Sequence, residues 1–223
     1  MNNLHQSIDE SVQEWYAKYL FPKMDHTNLS AKQWEEIYHN GGFGGQGSGT
    51  GSLLENNYEL IKIFDNFILK NNIQNLLDLG CGAMQWMPFT KTYEKLNYTG
   101  VDGASNLIKT NIEKFSSPTK KFICCDLFKF ECEDEFDLLF CKDVFQHNEM
   151  QELKEGLVQK IKSLKSKYKM VILPKGYNFP YEYIKEGNTS NEDSDSTPYT
   201  RYPGPGYHEF DYQSDELKTV IIF

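Results

Sequence analysis

Two glycines set two apart shortly after an acidic residue, in Leu77-Asp78-Leu79-Gly80-Cys81-Gly82, are the residues of this chain best suited to hold a small molecule. An apolar run leads into them, as a buried parallel strand does when its end turns sharply into a ligand-binding loop. Glycine leaves the backbone bare, so a ligand can approach the main chain closely. Asp102 ends the next apolar run, Tyr98-Thr-Gly-Val-Asp102. It falls at roughly the spacing at which a carboxylate meets the two hydroxyls of a ribose.

Such residues need a scaffold, and the rest of the chain supplies its pattern. Strand-like runs are expected at 73–79, 98–102, 121–125, 136–140 and 170–173. Helical periods lie between them, at 105–115 and at 148–164, where Met150, Leu153, Leu157, Ile161 and Leu164 share a face. Alternating β and α elements with apolar strands predict an α/β fold, a doubly wound, mostly parallel sheet with helices on both faces. Residues 217–223 read as a last strand, with 207–212 as the other half of a terminal antiparallel hairpin.

Ahead of this core, Ile8, Val12, Trp15, Tyr16 and Tyr19 have helical spacing. Ser30 with Gln33 makes a capping box for a second helix, carrying Trp34, Ile37 and Tyr38 on one face as packing residues. The segment 41–52 is dominated by glycine and lacks the Gly-Lys-Ser/Thr ending of a phosphate-binding loop. It is either a linker or a lid that sets backbone N–H groups or Ser48 against a ligand. Ser52 with Glu55 repeats the capping box before a long amphipathic helix through Tyr58, Phe64 and Ile68. Residues 174–206 have no period, and tyrosines flank an acidic, serine-rich tract there. The expected division is a helical N-terminal extension with a glycine-rich cap (1–52) and a main domain (53–223) with a substrate-side insertion at about 174–206.

A chain of 223 residues can bury a core in one such domain. Its net charge of −9 argues against a nucleic-acid partner, which needs clustered lysine and arginine. Five cysteines, an odd number mostly in strand-like runs, read as reduced thiols, and no pairs have zinc spacing. The first residues lack a basic-then-apolar leader, and no apolar stretch is long enough to span a bilayer. The expectation is a soluble, cytoplasmic protein with no membrane partner.

Four passages in order carry a resemblance: Leu77-Asp-Leu-Gly-Cys-Gly82, Tyr98-Thr-Gly-Val-Asp102, Phe122-Ile-Cys-Cys-Asp-Leu127, and Phe136-Asp-Leu-Leu-Phe-Cys-Lys-Asp-Val-Phe-Gln-His147. With them the chain resembles the class I, Rossmann-like S-adenosylmethionine-dependent methyltransferases, whose seven-stranded sheet fits the pattern above. The resemblance implies S-adenosylmethionine as cofactor. It implies that Gly80 and Gly82 meet the methionine part, with Cys81 in the same turn, and that Asp78 meets its amino group. Asp102, beside Gly103, would hold the ribose diol, Asp126 and Leu127 would read the adenine edge, and Lys142 and Asp143 would border the pocket beneath the methyl donor. Ser48 would reach in from the cap. The chain departs from the family where a third small residue is common, having Ala83, Met84, Gln85 and Trp86 instead.

A hydroxyl acceptor profits from a general base near neutral pKa, and histidine suits that task. His147, just past the fourth strand, is the first candidate, with Asp143 to orient it or the substrate; His208 is the second. Tyrosines beside Asp193, Asp195 and Asp211 suit a sugar, whose C–H faces they cover. The first expectation is therefore O-methylation of a small-molecule hydroxyl, such as a saccharide or nucleotide-linked sugar. Another small molecule, a protein side chain, or a non-catalytic module that only binds the cofactor are the alternatives. Asp126, Asp143 and His208 could gather a divalent ion if folding joins them, though no local spacing argues for it.

Overall fold

A computed structural model of the protein describes residues 30–40, 43, 47–148, 150–179, 208–214 and 216–223. The expected helix at 8–19 and most of the insertion expected at 174–206, with Asp193 and Asp195, lie outside the described residues.

Seven strands form one sheet: β1 (Asn75–Leu79), β2 (Asn97–Asp102), β3 (Lys120–Cys124), β4 (Phe136–Lys142), β5 (Ser166–Pro174), β6 (His208–Gln213) and β7 (Leu217–Ile222). Their order is β3-β2-β1-β4-β5-β7-β6. The first five are parallel, β7 runs antiparallel to β5, and β6 pairs antiparallel with β7. Strand β1 thus has β2 on one side and β4 on the other. That reversal of direction in strand order opens a crevice at the carboxyl ends of the strands, where open α/β sheets take their ligands.

Strand alternation sends successive side chains to opposite faces, and each face has its own core. Leu76 joins Leu60, Phe64, Phe67 and Ile68 of helix α2 (Tyr58–Lys70) on one side. Leu77 and Leu79 join Leu157, Val158 and Ile161 of helix α4 (Gln151–Ser163) on the other. Burying each such side chain contributes about 1.5–3 kcal/mol. Helix α3 (Ser105–Phe115) covers the β2 and β3 edge and has the bounds its period predicts.

Helix α1 (Ala31–His39) begins in the expected capping box: Gln33 N donates to Ser30 Oγ at 3.4 Å and Ser30 N to Gln33 Oε1 at 3.0 Å. The second box, Ser52 with Glu55, does not form. Two 3-10 turns, Thr50–Ser52 and Leu54–Asn57, precede α2 instead. Asn57 Nδ2 donates to Gly51 O at 2.9 Å and Leu53 O at 2.7 Å, so a buried side chain satisfies the carbonyls and holds the tighter coil. The helix expected at 148–164 likewise starts at Gln151, after a separate 3-10 turn over Phe145–His147, and Met150 is exposed.

Candidate active site

The turn leaving β1 reverses the backbone in steps. Gly80, Gly82 and Met84 all have positive φ, at 80°, 56° and 55°. Gly80 N and Cys81 N both donate to Val101 O, at 2.8 and 3.1 Å. A Cβ at Gly80 would lie 2.4 Å from Val144 Cγ2, and one at Gly82 2.5 Å from Ser48 Oγ. Both positions therefore need glycine for conformation and for space. Asn111 Nδ2 donates to Gly82 O at 2.8 Å and holds the turn from α3.

The glycine-rich segment packs down on this turn. Ser48 Oγ accepts from Ala83 N at 2.8 Å and lies 2.9 Å from the Tyr38 hydroxyl. Ser48 N donates to Gln85 Oε1 at 2.7 Å. Gln85 thus anchors the cap to the turn.

Two carboxylates face the turn. Asp78 is 4% exposed and accepts from the Tyr98 hydroxyl at 2.7 Å. Burial raises its pKa to about 7, against the opposing effect of that hydrogen bond. Asp102 accepts from Gly82 N and Ala104 N, each at 3.1 Å. Burial pushes it up as well, and the backbone N–H groups restrain the shift. Asp126, past β3, accepts from Phe128 N at 3.0 Å. Burial holds the Cys81 thiol well above its ordinary range, which makes it an inert wall and not a nucleophile.

The opposite wall comes from the ends of β4 and β7 and from α1. Asp143 leaves β4 with φ 55°, and both its oxygens are taken: Lys142 Nζ bonds Oδ2, and Lys218 Nζ donates to Oδ1 at 3.0 Å. Burial would raise this carboxyl, but the two ammonium groups hold it below its ordinary value. Lys142 also donates to Gly51 O in the cap at 2.8 Å, and Lys218 to Glu216 Oε1 at 2.8 Å. The His147 ring meets Trp34 edge-on, with centroids 4.9 Å apart, and Trp34 stacks on Phe43 at 6.1 Å.

One cavity of about 530 Å³ joins these walls. Asp78, Gly80, Cys81, Gly82, Asp102, Gly103, Asp126, Leu127, Lys142, Asp143, His147 and Ser48 all line it. The backbone of His208 stands elsewhere in the sheet. It begins the edge strand β6, opposite Ile222, which in turn pairs with Met170. Met170 stands four residues below Pro174 at the carboxyl end of β5, about 13 Å down the sheet. No group of three or more metal-ligating side chains comes together among the described residues. Trp34 and Tyr38, expected only to pack, line the cavity too. Lys218 and Glu216 carried no signal in sequence, because their place at the site depends on an antiparallel strand returning beside β5.

Residues 76–167 match the family model described as "Methyltransferase domain". No curated protein sequence matches the chain. Among solved structures, the methyltransferase domain of bacterial CtHen1 is similar at 15% identity and a TM-score of 0.52, over 75% of this chain and 98% of that one. The N-methyltransferase NodS from Bradyrhizobium japonicum WM9, solved with S-adenosyl-L-homocysteine, is similar at 16% identity and a TM-score of 0.51, over 74% of this chain and 85% of that one. At such identities these structures show the shared fold.

The cavity fits S-adenosylmethionine on its own terms. A buried carboxylate that, among the described residues, accepts from a neutral phenol suits an ammonium group, and two glycines keep clear the space a Cβ would fill. No described helix is long and apolar enough to cross a membrane. The methyltransferase-domain match spans β1 to the start of β5, and the sheet around it has the doubly wound, Rossmann-like order of the fold shared with these structures.

Proposed function

We propose that the protein transfers a methyl group to an oxygen of a small molecule, with a saccharide or nucleotide-linked sugar as the first acceptor class to test. When bound, the cofactor supplies a methyl group on a sulfonium centre. Asp102 would hold the ribose hydroxyls, Asp78 the amino group, and Asp126 with Leu127 the adenine edge. The turn at Gly80–Gly82, pinned by Asn111 and Ser48, keeps these acceptors in fixed places, so little ordering is left to do at the moment of reaction.

The observation that carries the reading is His147 in the same cavity as the cofactor residues, on a short turn packed against Trp34. Its imidazole accepts the proton of an acceptor hydroxyl, while Trp34 limits how far the ring can swing. The cap, latched through Ser48 and Lys142, keeps water from the reacting groups. A module that only binds the cofactor has no use for a base on this wall.

The test is incubation of the protein and labelled S-adenosylmethionine with fractionated cell extract, followed by mass spectrometry of the labelled product. A methyl ether or ester is the expected product. A methylated amine would move the reading to N-methylation, and no labelled product in any fraction would favour the binding module.

A further inference from the structure

The wall formed by the ends of β4 and β7 carries an electrostatic imbalance that points to the acceptor. Lys142 and Lys218 are 8% and 2% exposed, and among the described residues lining the cavity they are the two lysines. Burying an ammonium group is costly unless its charge and its donors are met. Asp143 lies between them and meets half of that charge. Glu216 pairs with Lys218 from the solvent side, its side chain 53% exposed. The buried group of Lys142, Asp143 and Lys218 therefore carries a net positive charge next to the cavity.

The donors tell the same story. An ammonium group has three N–H donors. Among the described residues, Lys142 uses two, on Gly51 O and Asp143, and Lys218 uses two, on Asp143 and Glu216. Asp143 adopts a left-handed backbone conformation at φ 55°, a cost that the lysine clamp repays by holding both cations at one point. The paired carboxylates keep Lys218 protonated against the effect of burial. Charge and unspent donors together match an oxyacid group.

We propose that Lys142 and Lys218 form an oxyanion-binding pair, so that the acceptor carries a carboxylate or phosphate and is anchored through it in the methyl-transfer cavity. This rests on the methyltransferase reading and narrows its substrate class: an acidic sugar or sugar phosphate qualifies and a neutral sugar does not. Trp34 and Phe43, on the same cavity, offer a flat apolar surface to the remainder of the molecule.

The experiment uses the full chain saturated with S-adenosylhomocysteine and three probes of one shape: benzoate, phenyl phosphate and benzamide. Ligand-observed NMR titrations should show benzoate or phenyl phosphate binding at least about tenfold more tightly than neutral benzamide, as expected for a charge-assisted pair. The tighter of the two anions identifies the oxyacid. Lys218→Met should reduce the preference to below about twofold, and Lys218→Gln, which keeps a donor without the charge, should do nearly the same. Asp143 retains Lys142 in both variants, and calorimetric binding of S-adenosylhomocysteine confirms that each is folded. Equal binding of all three probes, binding of none, or an unchanged preference in both variants overturns the proposal. Failure of the wild type to bind S-adenosylhomocysteine breaks the methyltransferase reading itself.

Discussion

At one end of the cavity, Asp78, Gly80, Gly82 and Asp102 come from residues 78–102, two strand ends and the turn between them. At the other end, Trp34, Lys142, His147 and Lys218 come from α1, β4, a 3-10 turn and β7. The first end offers carboxylates and bare backbone; the second offers ammonium groups, an imidazole and aromatic faces. A ligand with a diol, an amine and no phosphate needs only short-range features that two neighbouring parallel strands can hold. An acceptor must be met from several directions and shielded from water, so its wall is gathered from segments far apart in the chain. The first end is built from one local unit of the fold, and the second from several.

The sharpest way to separate the two ends is His147→Ala. It should lower methyl transfer by roughly a hundredfold to ten-thousandfold, as loss of a general base does. Affinity for S-adenosylhomocysteine, measured by calorimetry, should stay within about twofold, because the contacts assigned to the cofactor belong to the other end. His208→Ala, far down the sheet edge, should leave turnover near that of wild type. Near-normal activity of His147→Ala would dissolve the division of labour.

Asp102→Ala should do the converse. Losing hydrogen bonds to a charged carboxylate costs about 1.5–3 kcal/mol, or about ten- to a hundredfold in cofactor affinity. Turnover at saturating cofactor should fall far less. The variant also frees Gly82 N and Ala104 N, so circular dichroism melts are needed to show that the turn survives.

A smaller effect follows from Asp78. Its folded pKa of about 7 lies above its ordinary value of 3.8, so between those values the folded chain keeps a proton that the unfolded chain releases. Stability contributed by this group is therefore full below about pH 4 and declines as pH rises through 7. Cofactor affinity runs the opposite way, since an ammonium group pairs with the ionised form. Calorimetry from pH 5.5 to 8.5 should show affinity rising by up to about tenfold per unit towards pH 7 and levelling above it. Asp78→Asn should bind weakly and show no such slope.

The least effect is expected where the ends are latched together. Ser48→Ala removes the acceptor of Ala83 N and the partner of Tyr38, a loss of about 0.5–1.5 kcal/mol. Hydrogen exchange should quicken at Ala83 and its neighbours, while amides in β1 keep their protection. Unchanged exchange at Ala83 would mean that the cap contributes nothing to holding the turn.

These contrasts trace back to what kind of information a chain carries locally. Strand and helix periods, the paired glycines and the acid closing β2 were all readable in sequence, because each depends on residues within one strand–turn–helix unit. Seven strands, their parallel core and the terminal hairpin followed from the same patterns. Where local signals competed with packing, the reading failed. Ser52 with Glu55 looked like a helix cap, yet the chain runs there through two 3-10 turns, with Asn57 bonded back to Gly51 O and Leu53 O. Trp34 and Tyr38 looked like packing residues, since an aromatic on an amphipathic helix has the same signature whether it faces a core or a cavity. Only the tertiary structure brought Lys218 beside Lys142, with Asp143 between them, because the return of β7 antiparallel to β5 is a matter of sheet order and leaves no periodic trace. The residues proposed for the cofactor are neighbours in sequence, and those proposed for the acceptor become neighbours only once the sheet has formed.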